Sequence, residues 1–142
     1  MSKGRGRILA IDYGEKKIGI AVSDPLGIIA QGLPTIVYKS RREALHRIKQ
    51  VAQEYEVVEV IVGHPLNAHG EASVVTMKTQ AFSNKLKAEV GLPVLLWDER
   101  FTSVEARRAL LQMNLSPSRN KLLVDRVSAT LILQNYLNYV NR

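Results

Sequence analysis

Hydrophobic positions between Arg7 and Tyr38 recur mostly at every second residue, the spacing of β-strands. Ile8, Ala10 and Asp12 share one face of a first strand, and Leu9 and Ile11 share the other. A strand apolar on both faces belongs in the middle of a covered sheet. Asp12-Tyr13-Gly14-Glu15-Lys16 turns into a second strand, Lys17 to Ser23, where Ile18, Ile20 and Val22 alternate with Gly19, Ala21 and Ser23. Asp24-Pro25-Leu26-Gly27 has the makeup of a type I turn. A third strand runs from Ile28 to Tyr38, and Pro34 within it argues for a bulge or an edge position.

Beyond Tyr38 the rhythm becomes helical, interrupted by short apolar runs. Ser40-Arg41-Arg42-Glu43 reads as a capping box, with Leu45, Ile48, Ala52 and Tyr55 as the stripe behind it. Val57 to Val62 is a buried strand stopped by Gly63, and a polar loop follows from His64 to Gly70. Val75, Phe82, Leu86 and Val90 align on a second helix that Gly91 and Pro93 end. Val94 to Trp97 form a fifth strand. Thr102-Ser103-Val104-Glu105 is a second capping box, whose helix buries Ala106, Ala109, Leu110 and Met113 and turns Arg107 and Arg108 the other way. Ser116-Pro117 breaks the chain before a last helix from about Lys121 to Tyr139. The order predicts an α/β fold, one domain over residues 1–142. Its sheet is mixed and five-stranded, with the fourth and fifth strands each parallel to a partner.

Composition narrows the classes. The 142 residues are 46% hydrophobic and 23% charged, an ordinary globular balance. No apolar run approaches the ~20 residues of a membrane span, and the basic N-terminus offers no signal-peptide core. With no cysteine, disulfides, thiol nucleophiles and cysteine-ligated zinc are excluded. A cytoplasmic protein without a membrane partner is expected. The net charge is +7, and it is unevenly placed. Residues 1–50 hold ten Lys/Arg against four Asp/Glu, and residues 98–142 seven against four, while residues 51–97 hold three against five. Such an excess is the footprint of a polyanion binder, since neutralised phosphates release counterions. It also fits a generally basic, solvated surface.

Ligand sites in open α/β sheets gather beyond the carboxyl ends of strands. Asp12 closes the first strand there, and Asp98 and Glu99 close the fifth, with Arg100 next. Asp125 stands in line with the apolar stripe Ser128, Ala129, Ile132, Tyr136 and Val140, where burial penalises a carboxylate unless a cation or hydrogen-bond donors meet it. Each acid singly suits a cap, a turn or a salt bridge. Together they also suit a cage of oxygen ligands for hard divalent cations that clamp a phosphodiester. His64 and His69 could touch phosphate or simply be polar loop residues. No phosphate-binding glycine loop of the Walker type and no serine nucleophile elbow is present.

Four segments carry a family resemblance. Asp12-Tyr13-Gly14 with Lys17-Ile18-Gly19-Ile20-Ala21-Val22-Ser23-Asp24 resembles the opening of the YqgF-type family, described as Holliday-junction resolvases or pre-16S ribosomal RNA nucleases. Val62-Gly63-His64-Pro65-Leu66-Asn67 with Gly70 resembles its central loop, and Trp97-Asp98-Glu99-Arg100-Phe101-Thr102-Ser103 its Asp-Glu-Arg segment. Val124-Asp125-Arg126-Val127-Ser128-Ala129 through Leu137 is similar to its closing helix. His64 and His69 depart from the family pattern. The resemblance implies an RNase H-like fold, with a central first strand, an antiparallel group of three strands and two parallel ones. It also implies a carboxylate triad at Asp12, Glu99 and Asp125, with Asp98 as a neighbour.

The expected function is a metal-dependent endonuclease that processes structured precursor 16S rRNA. Asp12, Glu99 and Asp125 would be both catalytic residues and ligands of Mg²⁺ or Mn²⁺. Lys16, Lys17, Arg100, Arg107 and Arg108 would bind nucleic acid. One rival keeps the chemistry and cuts four-way DNA junctions, for which a homodimer instead of a monomer is expected. Another is a nucleic-acid-binding factor in transcription or ribosome assembly without catalysis. An actin-like or sugar-kinase ATPase shares the Asp-x-Gly hairpin, but it closes two domains over its nucleotide and this chain has the length of one.

Overall fold

The computed structural model describes residues 6–64, 73–99 and 102–141. In chain order they form β1 (Ile8–Tyr13), β2 (Lys17–Ser23), β3 (Ala30–Val37), α1 (Arg41–Glu54), β4 (Glu59–His64), α2 (Val74–Val90), β5 (Val94–Asp98), α3 (Thr102–Gln112) and α4 (Lys121–Val140). The five strands make one sheet in the order β3-β2-β1-β4-β5. β1–β2 and β2–β3 are antiparallel hairpins, and β1–β4 and β4–β5 are parallel. This is the mixed sheet that the pattern predicts, with β1 at its centre.

The two faces of β1 explain that position. Leu9 and Ile11 enter a core with Ile18, Ile20, Val60, Val62, Ile48 and Phe82, beneath α1 and α2. Ile8 and Ala10 enter a second core with Ala21, Ile61, Ile132, Leu133 and Leu137, beneath α4. α4 lies across β1, β2 and β3, and α3 packs on α4. Ile132, Leu133 and Leu137 are almost wholly buried. Each contributes on the order of 1.5–3 kcal/mol of gross burial, so α4 is firmly seated on the sheet. None of the described helices is long and apolar enough to cross a membrane.

Local signals were honoured with small shifts. β3 is an edge strand, and its register slips between the Ile18–Ile36 and Ile20–Leu33 pairs, where Pro34 and Thr35 lie. β3 starts at Ala30 instead of Ile28, because the Asp24 carboxylate accepts the Ile28 and Ile29 amides at 2.7 and 2.8 Å and extends the turn. Ser40 caps α1 by accepting the Glu43 amide, and Gly91, at φ +67°, closes α2. Three expectations of burial fail. Val58 is exposed because it precedes β4, which starts at Glu59. Val75 is exposed because the buried face of α2 runs through Thr76, Thr79, Phe82, Ser83 and Leu86. Met113 is exposed because α3 ends at Gln112 and leaves it in the turn. The side chains proposed for the second capping box, Thr102 to Val104, lie outside the described residues.

Candidate active site

Asp12 is the penultimate residue of β1, and its alternation with Ile8 and Ala10 places it on the α4 side. On the β2 side it pairs with Gly19. On the β4 side the register that joins Ile11 to Val62 carries it to Gly63. Both glycines are seats. A Cβ on Gly19 would stand 2.1 Å from the Asp125 backbone carbonyl oxygen, so the α4 backbone rests directly on the strand there. A Cβ on Gly63 would stand 2.6 Å from Glu99 Oε2 and 2.7 Å from Ile132 Cδ1. Two missing side chains therefore admit the α4 backbone at Asp125 on one side of Asp12 and the Glu99 carboxylate on the other.

Glu99 follows the last residue of β5. Its amide donates to the His64 carbonyl at 3.2 Å, which fixes where the chain leaves the sheet. Its side chain hydrogen-bonds that of Asp12. Burial first, and then the Asp125 charge, push the Asp12 carboxyl up to about 7. Burial first, and then the Asp12 charge, push Glu99 up to about 9. The two belong to one titrating pair that holds a shared proton near neutral pH.

Asp125 is treated differently. Lys17 Nζ lies 3.3 Å from its Oδ2, and that oxygen is buried without a hydrogen-bond partner. Lys17 opens β2 on a turn held to Tyr38 at two points. The Tyr38 amide donates to the Lys16 carbonyl at 3.1 Å, and the Tyr38 hydroxyl donates to the Gly14 carbonyl. Beside this ion pair is a cleft of about 530 Å³ lined by Lys17, Arg107, Lys121, Asp125 and the Pro117-Ser118 turn.

The structure thus brings Asp12, Glu99 and Asp125 to one end of one sheet face, with Lys17 and Arg107 beside Asp125. Lys16 and Arg108 are exposed and do not line that cleft. Arg100 and His69 lie outside the described residues. Asp98 belongs to β5 itself, and the alternation that puts Trp97 in the α4-side core turns Asp98 to the α2 side. Its charge still acts on Glu99. The His64 ring meets the Gln80 side chain of α2 at 3.2 Å, away from the carboxylates. Lys121 was missed by the sequence reading, and its only signal was a cation at the start of a helix after Ser116-Pro117.

Among the described residues no three acidic or imidazole groups stand as a ready-made metal cage. The donor set nonetheless fits a hard cation. It is all oxygen, it includes a buried Asp125 oxygen without a donor, and it includes two acids that must otherwise share a proton.

A family model described as RuvX, Holliday junction resolvase, matches residues 6–139. A relative from Koribacter versatilis, provisionally named pre-16S rRNA nuclease, is 49% identical over 132 residues, covering 93% of this chain and 86% of the relative. One from Clostridium acetobutylicum with the same name is 44% identical over 134 residues, covering 94% and 99%. Among solved structures, Thermus thermophilus RuvC in complex with a Holliday junction substrate superposes with a TM-score of 0.61 at 15% identity, covering 96% of each chain. The fowlpox virus resolvase bound to Holliday junction DNA superposes with a TM-score of 0.61 at 11% identity, covering 96% and 99%. These two show the fold, which is RNase H-like.

Proposed function

The chain belongs to the RuvX family, and from that membership we propose that it is a divalent-metal-dependent endonuclease that processes the structured precursor of 16S rRNA. One observation carries the reading to residues: Gly19 and Gly63 seat Asp125 and Glu99 on either side of Asp12. Asp12, Glu99 and Asp125 would hold Mg²⁺ or Mn²⁺. When bound, the cation supplies Lewis acidity, activating water as the nucleophile and offsetting the charge that builds on the phosphate.

The remaining work falls to this chain's own groups. The Asp12–Glu99 pair gives up its shared proton before both can serve as oxygen ligands, so cleavage rises with pH through the neutral range. Gly19 fixes the α4 backbone that carries Asp125 and Gly63 makes room for the Glu99 carboxylate, which is the preorganisation that charge stabilisation needs. Lys17 and Arg107 face the cleft next to Asp125 and hold the substrate backbone.

A second reading has its own support, since solved neighbours of this fold are seen with Holliday junctions. A junction resolvase would act as a symmetric dimer with two active sites. A paired cleavage assay decides between the two substrates. Labelled precursor rRNA and a four-way DNA junction are each incubated with wild type and Asp12→Asn, in Mg²⁺, Mn²⁺ or EDTA. Metal-dependent cutting of the RNA by wild type alone is expected. Cutting of the junction by a dimer would move the assignment to the resolvase, and full activity of a folded Asp12→Asn protein would overturn the metal-nuclease reading.

A further inference from the structure

We propose that Lys17, Arg107 and Lys121 form a binding cleft for a backbone phosphate flanking the scissile one, and that Lys17 reaches it by leaving Asp125 when a divalent cation binds there. The inference deepens the nuclease reading and rests on it. Three elements bring the cations together: Lys17 from the start of β2, Arg107 from α3 and Lys121 from the first turn of α4. Among the described residues Asp125 is the one carboxylate on the cleft's lining. α4 also begins at this rim. The cap residue Asn120 makes no side-chain cap and instead donates to the Ser116 carbonyl at 2.7 Å. The positive end of a 20-residue helix therefore adds to the same field.

Lys17 has two claims on it. Its ammonium stands 3.3 Å from Asp125 Oδ2, and both side chains are only about one-third exposed. The contact neutralises Asp125 without satisfying that oxygen, which keeps no hydrogen-bond partner. A divalent cation is the stronger counter-charge for an oxygen in that state. Once displaced, the Lys17 head group has a cleft of about 530 Å³ on its own side, with two further cations in it. Its four-carbon stem lets the ammonium move without disturbing the strand. The result is an exchange in which the lysine passes from the protein's carboxylate to the substrate's phosphate.

Two measurements test the exchange without reading activity. The first is calorimetric titration of Mn²⁺ into wild type, Lys17→Met, Lys17→Arg and Arg107→Gln, without nucleic acid and at fixed ionic strength. Lys17→Met removes the competing cation and should bind Mn²⁺ about five-fold more tightly, the scale of a partly exposed ion pair. Arg107→Gln removes the same charge from the same cleft but leaves the Lys17–Asp125 pair, and should stay within about two-fold. Lys17→Arg should restore near-wild-type affinity. The second is fluorescence anisotropy of labelled precursor rRNA in Ca²⁺, which shares the preference for oxygen ligands. Lys121→Gln should weaken binding about three- to ten-fold and lower the slope of log affinity against log salt by about one.

Thermal unfolding of each variant confirms the fold. Equal Mn²⁺ affinities for Lys17→Met and Arg107→Gln would overturn the exchange, and unchanged RNA affinity in Lys121→Gln would overturn the cleft. If wild type binds no Mn²⁺ at all, the metal-nuclease reading falls and takes the exchange with it. That result is distinct from equal binding by all variants, which leaves the nuclease reading standing.

Discussion

Two glycines seat two acidic residues beside one aspartate, yet the two seats are electrically unlike. At Gly63, the half-buried Glu99 hydrogen-bonds Asp12, and desolvation and the Asp12 charge favour its protonated form. At Gly19, Asp125 is kept by a lysine. Both devices answer the same problem, since a buried ionised carboxylate without a partner is penalised by several kcal/mol. The difference teaches where each seat is open. On the Glu99 side the balancing charge is a proton, whereas on the Asp125 side it is a lysine that also borders the neighbouring cleft. One side of the site therefore responds to pH and the other to charge.

The largest effect should come from adding one carbon at each seat. Gly19→Ala puts its methyl 2.1 Å from a backbone oxygen of α4, so the whole helix must lift. Loss of about 3 kcal/mol of stability is expected, together with loss of cleavage, because overpacking against backbone has no cheap relief. Gly63→Ala instead meets the far ends of two side chains, Glu99 and Ile132. Those can swing aside, so the fold should lose about 1 kcal/mol while cleavage falls at least a hundred-fold through a displaced Glu99. Urea unfolding and a cleavage assay on both variants check this. Equal stability losses would mean that α4 is not resting on Gly19.

How far these seats were legible in the sequence differs by residue. Alternation placed Asp12 on the face shared with Ile8 and Ala10, and the helical stripe marked Asp125 as a carboxylate in apolar company. Both are local patterns, and the structure keeps both faces. The choice of Glu99 over Asp98 was not local. Strand alternation ends at Asp98, and the direction of the next residue is set by a hydrogen bond to His64 on another strand. The strand end marked both acids, and only the family resemblance chose Glu99 between them. Gly19 read as one of several small residues and Gly63 as a strand stop, because a seat exists only once another element lies on it. Lys121 was silent for the same reason, since the packing of α3 on α4 creates the cleft it lines.

The proton on the Glu99 side gives the next prediction, in the metal-free protein. Asp12 and Glu99 have folded values near 7 and 9, above their ordinary 3.8 and 4.5. Between those limits the native state binds more protons than the unfolded chain, so stability falls as pH rises. The penalty is absent below about pH 4 and grows through the window up to about pH 9. The melting temperature in EDTA should therefore drop by several degrees between pH 5 and 9. Asp12→Asn should flatten the drop and be more stable than wild type at pH 8, the usual bargain at a functional site. Saturating Mg²⁺ should flatten it too. A wild-type curve that rises over this range would break the account of the Glu99 seat.

The smallest expected effect sharpens the other seat. Arg107 and Arg108 are adjacent on α3, and both are exposed, but only Arg107 lines the cleft beside Asp125. A phosphate contact is worth about 1 kcal/mol, and losing one lowers the salt slope by about one. Arg107→Gln should weaken binding of precursor rRNA about three- to ten-fold in Ca²⁺, whereas Arg108→Gln should stay within about two-fold. The neighbours differ by one position in sequence and by about 100° around the helix. Anisotropy titrations at several salt concentrations read both numbers. Equal losses would mean that the strand wraps α3 instead of following the cleft, and the charge-responsive side of the site would then be the helix surface and not the Asp125 seat.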